Sequence, residues 1–358
     1  MSALLSIPRY PADVTPEWLS AVLSRRGGSV EVTAAEVVPI GTGQTGATYR
    51  VTATHGSDLG GLPQTFVIKL PAQDDAVRDR VVFGYRSECS FYSAVADRVQ
   101  VPVPECFYCE ITDDAKEYAL LLADQAPAVQ GDQIAGCGER EARLSVTALA
   151  GLHGPTWCDP IWLDLPGIAF GRPDADSAKG LGDVAQMSAD ITLDKLGDRM
   201  TAQDRETFSA TMRVVTPWLL TEHDRFALLH GDYRLDNLLF DPDRTRVSVV
   251  DWQTLGIGLP ARDLAYFTAT SLDSRLRVTL EQDLVDDYHR ALLGHGVTDY
   301  DRDTCWRDYR LGVVQAPLIS ALGFAFASST DRGDDMVLTM LTRGCQAIRD
   351  LGTLDLIG

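Results

Sequence analysis

The 358-residue sequence has little positive charge, because 32 lysines and arginines stand against 51 aspartates and glutamates, for a net charge of −19 at pH 7. A surface of that sign repels nucleic acids and anionic membranes, and no cluster of basic residues in the sequence offsets it. Binding to DNA, to RNA or to a membrane surface is therefore the first class of function that we exclude.

Long hydrophobic runs are scarce as well. The longest nearly uncharged stretch, Val313 to Ala327, contains Gln315 and Pro317 and is shorter than the ~20 residues of a transmembrane helix. The N-terminal residues lack the basic region and the longer apolar region of a secretory signal peptide. We therefore expect a soluble cytoplasmic protein.

Cysteine is present in an odd number, seven, with scattered spacing, which is typical of reduced thiols in a cytoplasm. Cys106 and Cys109 have the spacing of half a zinc site or of a redox pair. No second pair in the sequence has ligand spacing, so we favour structural thiols over these two alternatives.

The overall composition, 45% apolar and 23% charged, is that of an ordinary globular protein that is long enough for more than one lobe. We predict a boundary after Asp124, with a β-rich N-terminal lobe over residues 1–124 and a larger, mostly helical lobe over residues 125–358. In the first lobe the patterns predict a short helix after Thr15, five strands (Glu36–Ile40, Ala47–Thr52, Thr65–Leu70, Glu105–Ile111, Tyr118–Leu122) and a helix over residues 76–99. In the second they predict helices over Glu139–His153, Asp204–Leu220, Leu280–Leu293 and from Arg307 to the end, with short strands at Leu228–Leu229 and Arg246–Val250.

The strongest motif is His-Gly-Asp-Tyr-Arg-Leu-Asp-Asn over residues 230–237, followed by Asp251 after an apolar strand. Phosphoryl transfer from ATP needs a carboxylate that holds the attacking hydroxyl and oxygen ligands that fix Mg²⁺ against the phosphates. Asp232 fits the first role, and Asn237 and Asp251 fit the second. Asn237 is the only asparagine in the sequence, so its occurrence at this spacing is improbable by chance. The alternative is that Asp232 and Asp236 only cap a turn.

A glycine-rich segment lies upstream, between two predicted strands. Glycine lets backbone N–H groups approach phosphate oxygens closely, so the segment is a candidate lid over ATP. The strand that follows argues against a dinucleotide-binding fold, in which a helix would follow, whereas a plain hairpin turn remains the alternative. The residues of this candidate lid are Gly41, Thr42, Gly43, Gln44, Thr45 and Gly46.

Lysine is rare, with four in the chain, and Lys69 is the one that lies inside an apolar strand. A buried ammonium is costly unless it is paired or bound to phosphate. Glu88, in the helix that follows, is the candidate partner that would direct Lys69 toward the α- and β-phosphates. The alternative is an edge-strand lysine whose ammonium reaches solvent.

Together, residues 230–237, Asp251-Trp252, Lys69, Glu88 and the Leu-His-Gly-Pro-Thr-Trp segment over residues 152–157 resemble the aminoglycoside phosphotransferase superfamily. Within that superfamily, the sequence of the motif over residues 230–237 is more similar to the ecdysteroid-kinase-like and bacterial branches. The resemblance implies a protein-kinase-like, two-lobed α+β fold, ATP and Mg²⁺ as cofactors, Asp232 as catalytic base, and Asn237 with Asp251 as metal ligands. It also implies that backbone groups near Leu122 and Asp124 contact adenine.

Two departures from protein kinases bear on the acceptor. Gly231 stands where protein kinases have the arginine of His-Arg-Asp, and the short stretch between Asp251 and Asp263 leaves no room for a peptide-docking activation segment. We therefore expect a small-molecule hydroxyl acceptor, a metabolite or an aminoglycoside-like compound. A nucleotide-binding pseudokinase or regulatory module is the alternative function.

Other residues receive more limited interpretations. We expect His153 to be structural, His230 to orient the loop backbone, and Asp263 to brace the catalytic loop, as an aspartate of the resembling family does. The walls of the acceptor pocket are expected over residues 155–200 and 298–335. Their candidate side chains are Trp157, Trp162, Trp306 and Tyr309 with Asp159, Asp164 and Asp308.

Overall fold

The computed structural model describes residues 5–25, 28–40, 47–56, 62–221, 223–326 and 330–357, except the side chain of residue 76. The chain divides into two compact units. Unit 1 comprises Met1–Asp97, Val103–Ala126 and Pro166–Ala169, and unit 2 comprises Arg98–Pro102, Pro127–Leu165 and Phe170–Gly358.

Unit 1 is built on a five-stranded antiparallel sheet whose strand order is β1-β2-β3-β5-β4. In strand β3 inward and partly exposed residues alternate, so that Phe66, Ile68 and Leu70 are buried, as a half-buried strand requires. The strands are β1 Val32–Pro39, β2 Ala47–His55, β3 Thr65–Leu70, β4 Cys106–Ile111 and β5 Tyr118–Ala123.

The leading helix, α1 (Pro16–Ser24), packs its apolar face on this sheet. Thr15 caps it by accepting a hydrogen bond from the Trp18 N–H at 3.2 Å, and proline occupies its first position, where a missing N–H costs nothing. The ring of Trp18 packs edge-on against Tyr108 of β4 at 5.1 Å. Burial of this face joins α1 to the core of unit 1.

The helix predicted over residues 76–99 is shorter than expected. Helix α2 spans Asp75–Ser90, and it continues as one π-helical turn, Phe91–Val95, and a 3₁₀ turn, Ala96–Arg98. The first strand also begins at Val32, four residues before the predicted start at Glu36.

Unit 2 is mostly helical and carries two small antiparallel sheets, with strand orders β10-β7 and β6-β8-β9. Its helices are α3 Glu139–Thr156, α4 Ala175–Leu196, α5 Ala202–Arg213, α6 Val215–Leu219, α7 Ala261–Ser271, α8 Ser274–Gly294, α9 Arg302–Gly312, α10 Gln315–Phe326 and α11 Asp331–Leu351. Its strands are β6 Val129–Gln130, β7 Ala227–Leu229, β8 Leu238–Phe240, β9 Val247–Val249 and β10 Gly256–Gly258. Short 3₁₀ turns cover Pro11–Asp13 in unit 1 and, in unit 2, Pro160–Asp164, Gly197–Arg199, Leu235–Asn237 and Thr353–Leu356.

Two predicted helices of unit 2 are wrong as continuous elements. The one over Asp204–Leu220 is interrupted at Val214, because the ring of Pro217 would clash with the carbonyl four residues earlier. The one from Arg307 to the end consists of α9, α10 and α11. Helices α4 and α7 are present although the sequence patterns did not predict them.

The segment Arg302–Phe326, which contains α9 and α10, is long and apolar enough to cross a membrane by composition, with a mean hydropathy of 1.3 over its best window. In the folded unit 67% of that window is buried, which is the environment of a core helix.

Candidate active site

The candidate catalytic loop begins where β7 ends, and glycine at position 231 is what the turn requires. Gly231 has φ +81°, and a Cβ there would lie 2.4 Å from the backbone oxygen of Thr254. Only glycine accepts both the left-handed conformation and this close approach at low cost. The Thr254 hydroxyl also donates to the carbonyl of His230 at 2.8 Å, so the loop and the segment after Asp251 are held together.

A buried carboxylate on α7 braces the same turn. Asp263 is 0% exposed, and its two oxygens accept hydrogen bonds from the N–H groups of His230 at 2.6 Å and Gly231 at 3.1 Å. These are charge-assisted hydrogen bonds to backbone donors that the loop could not otherwise satisfy. The geometry is that of the brace that the sequence predicted for this residue.

The side chain of Asp232 is held by three donors and remains 23% exposed. The Tyr266 hydroxyl donates to Oδ1 at 2.7 Å, Asn237 Nδ2 donates to Oδ2 at 3.0 Å, and Arg234 Nε lies 3.1 and 3.0 Å from the two oxygens. These four contacts match the roughly four lone-pair sites of a carboxylate, so the side chain is fixed in orientation while part of it stays exposed. A fixed, reachable acceptor of this kind is what a catalytic base must provide.

Arg234 joins two carboxylates of the motif. Its Nη1 donates to Asp236 Oδ2 at 2.7 Å, while its Nε contacts Asp232. Burial alone would lower the pKa of Arg234, but the negative charges of Asp232 and Asp236 outweigh burial, and the pKa is raised. The guanidinium therefore stays charged and holds both carboxylates in place.

The oxygen atoms of Asn237 and Asp251 fit the ligand set of a magnesium ion. Asn237 spends its Nδ2 on Asp232, donating to the backbone oxygen at 2.8 Å and to Oδ2, which leaves Oδ1 as its oxygen for a cation. The N–H of Val250 donates to the carbonyl of Asn237 at 3.0 Å. This hydrogen bond ties the backbone of Asn237 to Val250, the residue that directly precedes Asp251 in the sequence. Mg²⁺ is commonly held by one or two protein oxygens together with phosphates and waters.

Asp251 also has an unusual backbone. Its φ of +69° lies in the left-handed region, where residues other than glycine are strained. Such strain persists where the surrounding structure fixes it, and it is frequent at functional sites. Within the described ranges no group of three or more His, Cys, Asp or Glu residues is placed to hold a metal ion.

The two histidines near the loop are structural. His230 Nδ1 accepts from the N–H of Asp232 at 3.3 Å and Nε2 donates to the carbonyl of Val250 at 3.1 Å, so the ring orients the loop backbone. His153 is 0% exposed, and its Nδ1 lies 2.7 Å from the Tyr288 hydroxyl. Its Nε2 is 3.5 Å from Asp263 Oδ2 but is not aligned for a hydrogen bond.

In unit 1 the structure pairs Lys69 with Glu88, as the sequence predicted. Lys69 Nζ lies 2.6 and 2.9 Å from the two carboxylate oxygens, and Glu88 is 1% exposed. The Tyr118 hydroxyl donates to Glu88 Oε2 at 3.1 Å, and its ring stacks on Tyr85 with centroids 4.5 Å apart. Burial, and then the charge of Glu88, raise the pKa of Tyr118 well above its usual value, so the hydroxyl remains a donor.

The sequence also predicted nucleotide contacts for the candidate lid and for the residues near Leu122 and Asp124. The candidate lid, Gly41 to Gly46, lies outside the described residues. Leu122 pairs with Val67 and Cys106 inside the sheet. The side chain of Asp124 accepts from Arg50 Nε at 2.7 Å, so only its backbone could meet adenine, and that contact stays a prediction.

Several side chains that the sequence offered as pocket walls are parts of the core. Asp308 is 0% exposed and forms a two-point ion pair with Arg225, both contacts 2.8 Å long. Tyr309 is fully buried and donates to Glu281, and Trp162 is 3% exposed. Burial removes these three from contact with a ligand. The seven cysteines, all among the described residues, are free thiols.

Comparison with models of protein families identifies the family to which the chain belongs. The model of the family described as "Phosphotransferase enzyme family" matches residues 36–303 of the 358. The chain belongs to that family. The matched range contains the catalytic loop, Asp251, Lys69 and Glu88, so the predicted resemblance to aminoglycoside phosphotransferases is confirmed, while the narrower ecdysteroid-kinase-like branch stays a prediction.

Solved structures show the kinase-like fold of this phosphotransferase. The GDP complex of aminoglycoside 2'-phosphotransferase-IIIa has a TM-score of 0.55 at 12% identity, covering 92% of this chain and 98% of that one. Plasmodium vivax ethanolamine kinase has a TM-score of 0.51 at 15% identity, covering 91% of this chain and 87% of that one. The predicted α+β fold, with a small sheet-based lobe and a larger helical lobe, is confirmed.

A curated relative shares a shorter segment with the phosphotransferase. "Acyl-CoA dehydrogenase family member 11" of Gallus gallus is 42% identical over 62 residues, which is 16% of this chain and 8% of that protein. The chain thus matches a small part of the length of this relative, whose activity and substrates do not transfer with it. The family membership rests on the family model over residues 36–303, and the solved structures add the kinase-like fold.

Sequence reasoning missed two tyrosines that hydrogen-bond to candidate site residues of this phosphotransferase. Tyr266, which holds Asp232, lies one helical turn after Asp263, so the i, i+3 spacing on a helix that follows the motif was an available signal. Tyr118, which holds Glu88, lies in a strand that carried no polar pattern to single it out.

Proposed function

We propose that this phosphotransferase transfers the γ-phosphoryl group of ATP to a hydroxyl of a small molecule in a Mg²⁺-dependent reaction. The observation that carries the proposal is the geometry of Asp232, a reachable carboxylate fixed by Tyr266, Arg234 and Asn237. The bond that forms joins the acceptor oxygen to the γ-phosphorus, and the bond that breaks joins that phosphorus to the oxygen bridging to ADP.

Each residue has one task in this scheme. Asp232 accepts a hydrogen bond from the acceptor hydroxyl, orients its oxygen toward the γ-phosphorus and takes its proton as transfer proceeds. Lys69, held by Glu88, contacts the α- and β-phosphates through its ammonium. Asn237 Oδ1 and the Asp251 carboxylate would hold Mg²⁺, which when bound neutralises charge on the phosphate oxygens.

The proposal that the acceptor is a small molecule rests only on the similarity of this chain to other proteins of the same fold. Proteins of this fold include an aminoglycoside phosphotransferase and an ethanolamine kinase, both named for small acceptors. The second candidate function is a nucleotide-binding module without turnover. The residues that such a module commonly loses, Asp232, Asn237, Asp251 and Lys69, are all present here, and this favours the enzyme.

The decisive experiment compares Asp232→Ala with the wild-type protein. We expect ADP release in the presence of Mg²⁺ and a panel of alcohols to disappear in the variant, while nucleotide affinity measured by calorimetry changes little. Asp183→Ala is the matched control, because Asp183 is 70% exposed and its ion pair with Lys179 lies on the surface of α4. Wild-type turnover in Asp232→Ala would show that the assigned base is wrong, whereas tight ATP binding without turnover across the panel would favour the module.

A further inference from the structure

A second polar site lies at the end of β10, away from the catalytic loop. Gly258 of β10 pairs with Ala227 of β7, and β7 leads away from that pair toward His230 and Asp232. A small cavity with room for about one water molecule, 10 Å³, opens beside Gly258. It shares Arg172 and His223 with an open groove of 660 Å³.

The cavity contains a buried cation that forms no ion pair with any described residue. Arg262 is 7% exposed and lines the cavity, with Nη1 3.3 Å from the position of a Cβ on Gly258. Across the described part of the chain its guanidinium has no ion pair, and Nε is buried without a hydrogen-bond partner. Its one strong contact is with the ring of Trp218, whose centroid lies 4.1 Å from Cζ.

This situation is unusual for arginine. Buried charges in proteins are normally paired, because an unpaired one loses its hydration without recompense. Burial lowers the pKa of Arg262 to about 10, and the charge of Asp263 next to it in the chain only partly opposes that effect. Asp263 spends its oxygens on the backbone of the catalytic loop, so it does not serve as a hydrogen-bond partner of Arg262.

The surroundings of the cavity are positive although the chain as a whole is strongly negative. Arg172 is exposed and lies over the ring of Phe226 at 5.1 Å, at the junction of cavity and groove. Arg225 also lines the cavity, but Asp308 neutralises it. Among the described residues that line the cavity there is no carboxylate, and the acid in the groove, Asp174, already caps α4 by accepting from Ser177 at 2.8 Å.

We propose that Arg262 and Arg172 form a binding site for an anionic oxygen group, a carboxylate or a phosphate, carried by a ligand that lies in the groove. The small cavity admits one oxygen of that group to the Arg262 guanidinium, whose planar donors suit such a group. Arg172 closes the outer side. None of its residues is among those that would bind the triphosphate, and its occupancy does not depend on turnover.

The test measures binding of inorganic phosphate and of acetate to the full chain by calorimetry, at an ionic strength held constant with chloride. We expect Arg262→Met, which removes the guanidinium and leaves a shorter, unbranched apolar side chain, to raise the dissociation constant of the bound anion about tenfold or more. Arg290→Gln is the matched control, because Arg290 is 73% exposed and forms an i, i+3 ion pair with Asp287, and we expect this variant to bind the anion as the wild type does. Preference for one anion over the other identifies the group.

If Arg262→Met does not fold, the substitution Arg172→Gln, at an exposed position, still tests the proposal. We expect it to weaken anion binding by roughly two- to fivefold, the usual effect of a partly exposed charge. Equal affinity in the wild type and Arg262→Met, equal affinity in the wild type and Arg172→Gln, or no binding of either anion to the wild type would overturn the proposal. Each of these results is independent of whether the enzyme phosphorylates an alcohol.

Discussion

The hydroxyl of Tyr266 donates a 2.7 Å hydrogen bond to Asp232 Oδ1, from the same helix that carries the loop-bracing Asp263. One helix therefore fixes both the backbone of the catalytic loop and the side chain of the proposed base. Burial, and then the charge of Asp232, raise the pKa of Tyr266 well above its usual value, so the hydroxyl keeps its proton and remains a donor.

Tyr266→Phe should lower kcat about tenfold or more and leave the KM for ATP nearly unchanged. A hydrogen bond to a charged group contributes roughly 1.5–3 kcal/mol, and its loss frees the carboxylate to rotate away from the acceptor. The measurement is steady-state kinetics with the melting temperature recorded alongside. Tyr10→Phe, at a half-exposed tyrosine, is the control, and an unchanged kcat in Tyr266→Phe would show that the contact does not position the base.

Lys69→Met should destabilise the protein by about 3 kcal/mol or more, because it leaves the Glu88 carboxylate buried without its cation. The double variant with Glu88→Gln should recover part of that loss, since no buried charge then remains unpaired. Urea unfolding of the two single variants and the double variant measures this coupling.

Lys179→Met provides the matched control for that cycle. Its ion pair with Asp183 is 71% and 70% exposed on the two sides, so we expect a change within about 0.5 kcal/mol. An equal loss of stability in the two lysine variants would contradict the assignment of a buried pair in unit 1.

The sequence predicts those parts of the site whose spacing is local. Asp232 and Asn237 lie on one short loop, and the apolar residues around Lys69 identify its strand without reference to any other part of the chain. Tyr266 is 34 residues from Asp232, and its contact depends on how α7 packs, which one sequence does not reveal. The burial of Arg262 against Trp218 was missed for the same reason.

Packing also explains why the sequence patterns did not predict helix α4. The buried face of α4 consists of small residues such as Ala178, Ala185 and Ala189, so its apolar pattern is weak although its 22 residues form a continuous helix. The break before α6 has a local cause, Pro217, that was visible in the sequence. Because Pro217 is the third residue of α6, the helix predicted over Asp204–Leu220 should have been divided into two helices.

Gly231→Ala should destabilise the catalytic loop by about 2 kcal/mol or more and abolish turnover. The added Cβ would be 2.4 Å from the Thr254 oxygen and would also have to adopt φ +81°. Unfolding by urea and ADP release measure the two effects. Gly180→Ala is the matched control on α4, where a Cβ meets nothing within 4 Å, and alanine there should be neutral or stabilising. Normal turnover in Gly231→Ala would show that the turn can relax and that the glycine is not required.

Glu281 provides a prediction about pH with a definite sign. Glu281 is 7% exposed on α8, where it contacts Arg277 and accepts from the Tyr309 hydroxyl at 3.1 Å. Burial raises the pKa of Glu281 above its usual value, and the neighbouring Arg277, which also pairs with Asp350, only partly opposes burial.

Because the folded protein then holds this proton more tightly than the unfolded chain, stability falls as the pH rises from the unfolded pKa of Glu281 to the raised one. Glu281→Gln does not titrate, so the stability of the wild type minus that of this variant should decrease as the pH rises above the ordinary glutamate pKa of about 4.5. Urea unfolding at several pH values measures the difference, in which the other titrating groups cancel. If the difference rises with pH instead, the ion pair with Arg277 outweighs burial, and the carboxylate is stabilised in the folded protein.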